Sequence, residues 1–158
     1  MTLKTTDLSD AHPDVSICEP LFRSYGGRAA FSGAISTVKC HEDNSLLKEA
    51  VSFAGNGHVL VVDGGGSKRC ALMGDMLGDA AVKNGWAGVI IFGCVRDSVE
   101  LAKLKLGVLA LATNPLKSEK RGAGQRDVPV RFGGVTFNPG SFVYVDEDGV
   151  IVSAAKLA

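Results

Sequence analysis

The sequence predicts an α/β fold in which a parallel βαβαβ segment is layered with a glycine-rich antiparallel β part. Three observations carry this expectation. First, Val59-Leu60-Val61-Val62, Val89-Ile90-Ile91-Phe92 and Val108-Leu109-Ala110-Leu111 are short, unbroken apolar runs, as strands buried on both faces require. Second, segments with helical spacing separate them, and a strand-helix-strand-helix-strand order favours parallel pairing through right-handed crossovers. Third, 20 of the 158 residues are glycines, set in pairs and triplets between apolar runs, where they read as turns.

Taken in chain order, the sequence predicts a short helix over 7–11 and an irregular stretch ending at Gly26-Gly27. Phe31 to Cys40 alternates as a strand, with Ile35, Thr37 and Val38 giving β-branched character. Asp43-Asn44-Ser45 offers helix N-cap candidates ahead of Leu46, Leu47, Ala50 and Val51, an apolar face at helical spacing. The next helix should begin near Asp75, bury Met76, Leu77, Ala80 and Ala81, and stop at Asn84-Gly85. A shorter one from Ser98 carries Val99, Leu101 and Ala102. Val128 to Phe132, Phe142 to Val145 and Val150 to Ser153 read as short strands, the last two joined by a hairpin at Asp148-Gly149. With no internal repeat and no boundary signal, residues 1–158 read as one domain.

Composition narrows the function classes. Seventeen basic residues balance seventeen acidic ones, which gives no general attraction for nucleic acid. Cys18, Cys40, Cys70 and Cys94 lie too far apart for a zinc knuckle or a redox pair, and read as buried reduced thiols. His12, His41 and His58 are scattered without metal-ligand spacing. The first residues lack a signal-peptide core, and no apolar stretch approaches the roughly 20 residues that span a bilayer. The expected location is the cytoplasm.

In parallel α/β sheets, ligands bind beyond the carboxyl ends of the strands. Two such ends carry chemistry here. After Val62 come Gly64-Gly65-Gly66 and then Gly74-Asp75-Met76-Leu77, which opens a helix; after Phe92 comes Arg96-Asp97. Backbone amides at a helix start hold an anion such as a carboxylate. Arg96 supplies a planar donor fork for a carboxylate or an enolate oxygen. Asp97 is a hard oxygen ligand suited to magnesium or manganese that keeps several waters, and Asp75 is placed to orient one of them. Each residue also has a plainer reading. The glycine triplet lacks the Lys-Ser/Thr ending of a phosphate loop, Asp75 suits a helix cap, and Arg96-Asp97 suits an exposed ion pair.

At these residues the chain resembles the RraA-like family. The likeness runs through Glu19-Pro20-Leu21-Phe22, Tyr25-Gly26-Gly27-Arg28, Lys39-Cys40, Glu42-Asp43-Asn44-Ser45 and Val61-Val62-Asp63-Gly64-Gly65-Gly66-Ser67. It continues in Phe132-Gly133-Gly134-Val135-Thr136-Phe137 and Tyr144-Val145-Asp146, so it covers almost the whole chain. The family includes the class II 4-hydroxy-4-methyl-2-oxoglutarate aldolases and the regulators of ribonuclease E activity. Its aldolase branch is marked by an Asp, twenty residues and then Arg-Asp, as in Asp75 followed by Arg96-Asp97.

The resemblance implies a swivelling β/β/α-type sandwich and a divalent-metal-dependent lyase that cleaves 2-oxo acids to pyruvate, with oxaloacetate decarboxylation as a side activity. It implies that the backbone of Gly74, Asp75, Met76 and Leu77 holds the pyruvyl carboxylate. Arg96, in contact with substrate, and Asp75 would be the catalytic residues, and Asp97 would bind the magnesium or manganese ion. It also implies a homotrimer or a hexamer. A rival implication is a regulator that binds and inhibits ribonuclease E without catalysis of its own. A methyltransferase reading rests on an older naming of the family and lacks its Gly-x-Gly-x-x-Gly signature here.

Overall fold

The computed structural model describes residues 3–157. The chain opens with α1 (Thr5–Ala11), β1 (Ser16–Ile17), β2 (Arg23–Ser24), β3 (Phe31–Lys39) and α2 (Ser45–Ser52). Its middle comprises β4 (Val59–Asp63), β5 (Ala71–Met73), α3 (Asp75–Lys83), β6 (Gly88–Val95), α4 (Ser98–Leu101) and β7 (Gly107–Thr113). The last part is all strand: β8 (Gln125–Arg126), β9 (Val130–Phe132), β10 (Val135–Phe137), β11 (Phe142–Asp146) and β12 (Gly149–Ser153). The main sheet runs β1-β12-β11-β3-β4-β6-β7-β2. β3, β4, β6 and β7 are mutually parallel, and β11 joins β3 in the antiparallel sense.

Strand β4 shows why its sequence is apolar without interruption. Leu60 and Val62 pack with Leu47, Val51, Ala81 and Leu101 of the helices. Val59 and Val61 point the other way, into a cluster with Val130, Phe132, Val135 and Phe137 of the separate β9–β10 ribbon. The period-2 alternation thus serves two cores, with helices on one face and a small ribbon on the other. Full burial of such side chains contributes about 1.5–3 kcal/mol each, and truncating Leu60 to Ala would cost about 2–5 kcal/mol. The parallel βαβαβ expectation is met, and the sheet is mixed because β1, β2, β11 and β12 pair antiparallel. All four cysteines are buried and unpaired. Among the described residues, no helix is long and apolar enough to cross a membrane.

Several expectations need correction. Met76 is not buried on α3: it is 82% exposed, while Leu77 and Ala80 are half-buried and only Ala81 and Gly78 are buried. Gly78 takes the inward place because a Cβ there would press on Leu101 and Leu104, so α3 lies close against α4. Val99 likewise faces outward, and Leu101 alone anchors α4. The strand expected from Val128 begins at Val130, since the Val128 carbonyl is taken by Thr37 Oγ1 at 2.6 Å. The ribbon partner β10 went unread, although Gly133-Gly134, with both φ positive, makes the tight turn between them. The β11–β12 hairpin turns one residue earlier than Asp148-Gly149 suggests. Asp146 pairs with Gly149, and the Asp146 carboxylate accepts the Asp148 amide at 2.9 Å.

Candidate active site

A three-residue strand without an alternating signature builds the site. β5 lies parallel to the carboxyl end of β6, with Ala71 opposite Cys94 and Met73 opposite Val95. The Arg96 amide donates to the Met73 carbonyl at 2.9 Å. Gly74, which follows β5, therefore stands beside Arg96-Asp97, which follows β6. Pairing of β4 with β6 occurs as expected, but β5 is what carries the helix start to this point.

Asp97 has φ 58, a left-handed backbone uncommon outside glycine, and its conformation turns the carboxylate onto the start of α3. The Asp75 amide donates to Asp97 Oδ2 at 3.1 Å. Gly74 is required by close approach: a Cβ there would overlap Asp97 Oδ2 and sit 3.3 Å from Arg96 Cγ. The Gly78 amide closes the first helical turn on the Gly74 carbonyl. Met76 and Leu77, whose amides a helix cannot satisfy internally, line the cleft. Arg96 is steadied by an Nη1 bond of 3.4 Å to the Pro115 carbonyl.

Gly74, Asp75, Met76, Leu77, Arg96 and Asp97, all six residues singled out in the sequence, line one cleft of about 140 Å³. The sequence reading missed its other wall, made by Asn44, Lys48, Lys117, Ser118 and Lys120. No periodicity marks the lysines. Of the wall residues only Asn44 was noticed, within Asp43-Asn44-Ser45 as a helix cap and within Glu42-Asp43-Asn44-Ser45 as part of the resemblance. Asn44 does occupy the N-cap position of α2, but its Nδ2 donates to the Leu72 carbonyl at 2.9 Å, tying α2 to β5. Four cationic side chains against the two carboxylates of Asp75 and Asp97 favour an anionic ligand.

The donor set also bears on a metal. Among the described residues, no group of three or more His, Cys, Asp or Glu side chains could hold one. The single cleft pair of carboxylates, Asp75 and Asp97, suits magnesium or manganese, which bind through one or two carboxylates, waters and substrate oxygens. Asp97 would be the residue to hold such an ion, since the bond from the Asp75 amide to Oδ2 fixes the carboxylate's direction. The glycine triplet does not offer a phosphate cradle. The Gly64 and Gly66 amides both donate to the Phe92 carbonyl at 3.1 Å, and the Gly65 amide to Asp63 Oδ1 at 2.9 Å.

Comparisons with known proteins agree with this architecture. A relative from Ectopseudomonas mendocina, provisionally named a 4-hydroxy-4-methyl-2-oxoglutarate aldolase, is 57% identical over 98% of this chain and 96% of its own. The structure of the RNA-processing inhibitor RraA from Thermus thermophilis superposes with a TM-score of 0.97 at 46% identity, covering 100% of this chain and 96% of that one. A Geobacillus kaustophilus structure described as an S-adenosylmethionine:2-dimethylmenaquinone methyltransferase gives a TM-score of 0.96 at 51% identity, covering 98% and 97%. The family model described as RraA-like, Aldolase/RraA, matches residues 5–152, and the chain belongs to that family.

Proposed function

We propose that this chain is a divalent-metal-dependent carbon–carbon lyase that cleaves 4-hydroxy-4-methyl-2-oxoglutarate-type 2-oxo acids to pyruvate, with oxaloacetate decarboxylation as a side activity. The observation that carries the reading is the convergence, in one cationic cleft, of a helix start, an arginine and a carboxylate fixed in a left-handed backbone. A magnesium or manganese ion held by Asp97 would supply Lewis acidity toward the 2-oxo oxygen. The chain's own residues do the rest. The α3 amides of Met76 and Leu77 hold the substrate carboxylate at the positive end of the helix dipole. Arg96 directs its donor fork at oxygen charge that grows as the carbon–carbon bond breaks, so its contribution is largest in the transition state. Asp75, at the same helix start, orients a water.

The names of the aldolase relatives support this reading. The methyltransferase name finds no counterpart in the glycine triplet, which lies outside the cleft and whose amides are already spent on Phe92 and Asp63. Assembly as a homotrimer or a hexamer fits the large exposed apolar residues Met76, which lines the cleft, and Val99 and Leu116, which are close in sequence to the lining residues Asp97 and Lys117; a neighbouring copy would cover them.

A second reading, binding and inhibition of ribonuclease E, is favoured by the likeness to the Thermus RNA-processing inhibitor. Arg96→Lys separates the two. Lysine keeps the charge but loses the paired donors, so pyruvate release should fall about 10²-fold or more in kcat. Inhibition of ribonuclease E cleavage, if carried by the outer surface, should be unchanged. Loss of both in a folded variant would place both functions in the cleft. Full lyase activity in Arg96→Lys would remove Arg96 from the mechanism.

A further inference from the structure

The segment between β7 and β8 supplies one wall of the cleft, yet it has almost nothing apolar to hold it. Residues 119–124 read Glu-Lys-Arg-Gly-Ala-Gly, all exposed, and Ser118 alone in this stretch is buried. Such a strap has no hydrophobic anchor and no regular structure of its own, so polar contacts must fix its path.

At its start the strap is tied to β5 by the Ala71 amide, which donates to the Leu116 carbonyl at 2.7 Å; the contacts of residues 119–123 converge on the Glu42-Asp43-Asn44-Ser45 turn. The Arg121 and Ala123 amides donate to Asp43 Oδ2 at 2.7 and 3.3 Å. Ser45 donates to Asp43 Oδ1 through both its amide, at 2.9 Å, and its hydroxyl, at 2.6 Å. The same hydroxyl accepts the Gly122 amide at 2.9 Å. Backbone bonds from Glu119 to the Glu42 carbonyl and from Asn44 to the Glu119 carbonyl complete the seam. The Asp43 side chain is thus a buried carboxylate with four donors, and the residue is 3% exposed.

We propose that Asp43 is a positioning residue of the cleft: its carboxylate, with Ser45, latches the strap so that Ser118 and Lys120 stand in the cleft wall. Asn44 fastens β5 from the same turn, so residues 42–45, together with the Ala71–Leu116 backbone bond, set the spacing between the Lys120 wall and the Gly74 wall. Burial pushes the Asp43 carboxyl upward, but the bonds from Ser45, Arg121 and Ala123 outweigh it and hold the group at about 2. The latch is therefore charged and closed throughout the neutral range. An acceptor with both oxygens in use cannot be replaced by an amide without turning an N–H toward another N–H.

The kinetic arm of the test rests on the lyase reading; the exchange arm does not. Amide hydrogen exchange and steady-state pyruvate release would be measured on the full chain as wild type, Asp43→Asn, Ser45→Ala and Ser45→Thr. In Asp43→Asn, amides 121–123 should exchange at least about tenfold faster while β4 and β6 stay protected. KM for the 2-oxo acid should rise about tenfold with kcat changed less than about twofold, because a misplaced wall weakens binding more than chemistry. Ser45→Ala, which removes the hydroxyl that holds Gly122, should shift both quantities in the same direction and serves if Asp43→Asn fails to fold. Ser45→Thr keeps the hydroxyl and should restore both. Unchanged exchange at 121–123 overturns the latch whether or not the wild type releases pyruvate. Faster exchange with unaltered KM in an active enzyme overturns the role of the strap in the cleft.

Discussion

Replacing Gly74 with Ala is the sharpest single perturbation of the site. Gly74 has φ −128 and ψ −161, an extended backbone that alanine adopts freely, so the change carries no conformational strain of its own. Its effect is spatial. The new methyl would overlap Asp97 Oδ2, and the carboxylate must retreat by on the order of 1 Å to reach van der Waals contact. That breaks the bond from the Asp75 amide and moves the proposed metal ligand away from the helix start. Loss of one exposed hydrogen bond costs about 0.5–1.5 kcal/mol. The smaller entropy of the unfolded alanine chain offsets about 0.4–1 kcal/mol of it. Tm should therefore change by no more than about 4 °C. Activity should not be spared, because a displacement of about 1 Å at a reacting centre can cost about 10²-fold. The assay couples pyruvate release to lactate dehydrogenase and follows NADH, with Tm measured on the same preparation. A Gly74→Ala protein with wild-type kcat/KM would refute the argument that close approach at Gly74 sets the Asp97 carboxylate.

Two further outcomes follow from other parts of the molecule. Analytical ultracentrifugation at micromolar concentration should show a trimer or a hexamer, and a stable 16.4 kDa monomer would contradict the proposed covering of Met76, Val99 and Leu116. Asp43 is held at about 2 against an ordinary 3.8, so its contribution to stability is complete above about pH 4 and is lost as pH falls toward 2. Asp43→Asn should flatten the fall of unfolding free energy across that interval, and an unaltered slope in chemical denaturation would show that the carboxylate is not held in this way.

The buried parallel strands were legible because burial on both faces leaves an unmistakable apolar run, as at Val59 to Val62. The six cleft residues from Gly74 to Leu77 and Arg96-Asp97 were legible for a different reason: resemblance and the carboxyl-end rule both pointed to them. What local sequence could not convey was the means of bringing them together. β5 is only three residues long, and its pairing with β6 is a non-local event that no period announces. Helical periodicity placed Met76 inside, whereas the approach of α3 to α4 at Gly78 rotates that side outward. The lysine wall was invisible because Lys117 and Lys120 sit in an irregular strap whose position is dictated by a carboxylate more than 70 residues away in sequence. Asp43 itself looked like a helix cap, and it does accept the Ser45 amide, but its second oxygen does the long-range holding.

The most direct measurement of the central claim is pyruvate release from 4-hydroxy-4-methyl-2-oxoglutarate and from oxaloacetate, across a magnesium titration, for wild type and Asp97→Ala. Asp97 is exposed at the cleft and supports no core packing, so the variant should fold with the wild-type circular dichroism spectrum. The wild type should release pyruvate in a magnesium-dependent way that a chelator abolishes, and Asp97→Ala should lose at least about 10³-fold. Release by Asp97→Ala equal to wild type, or none from the wild type on either substrate at any magnesium concentration, would contradict the central claim.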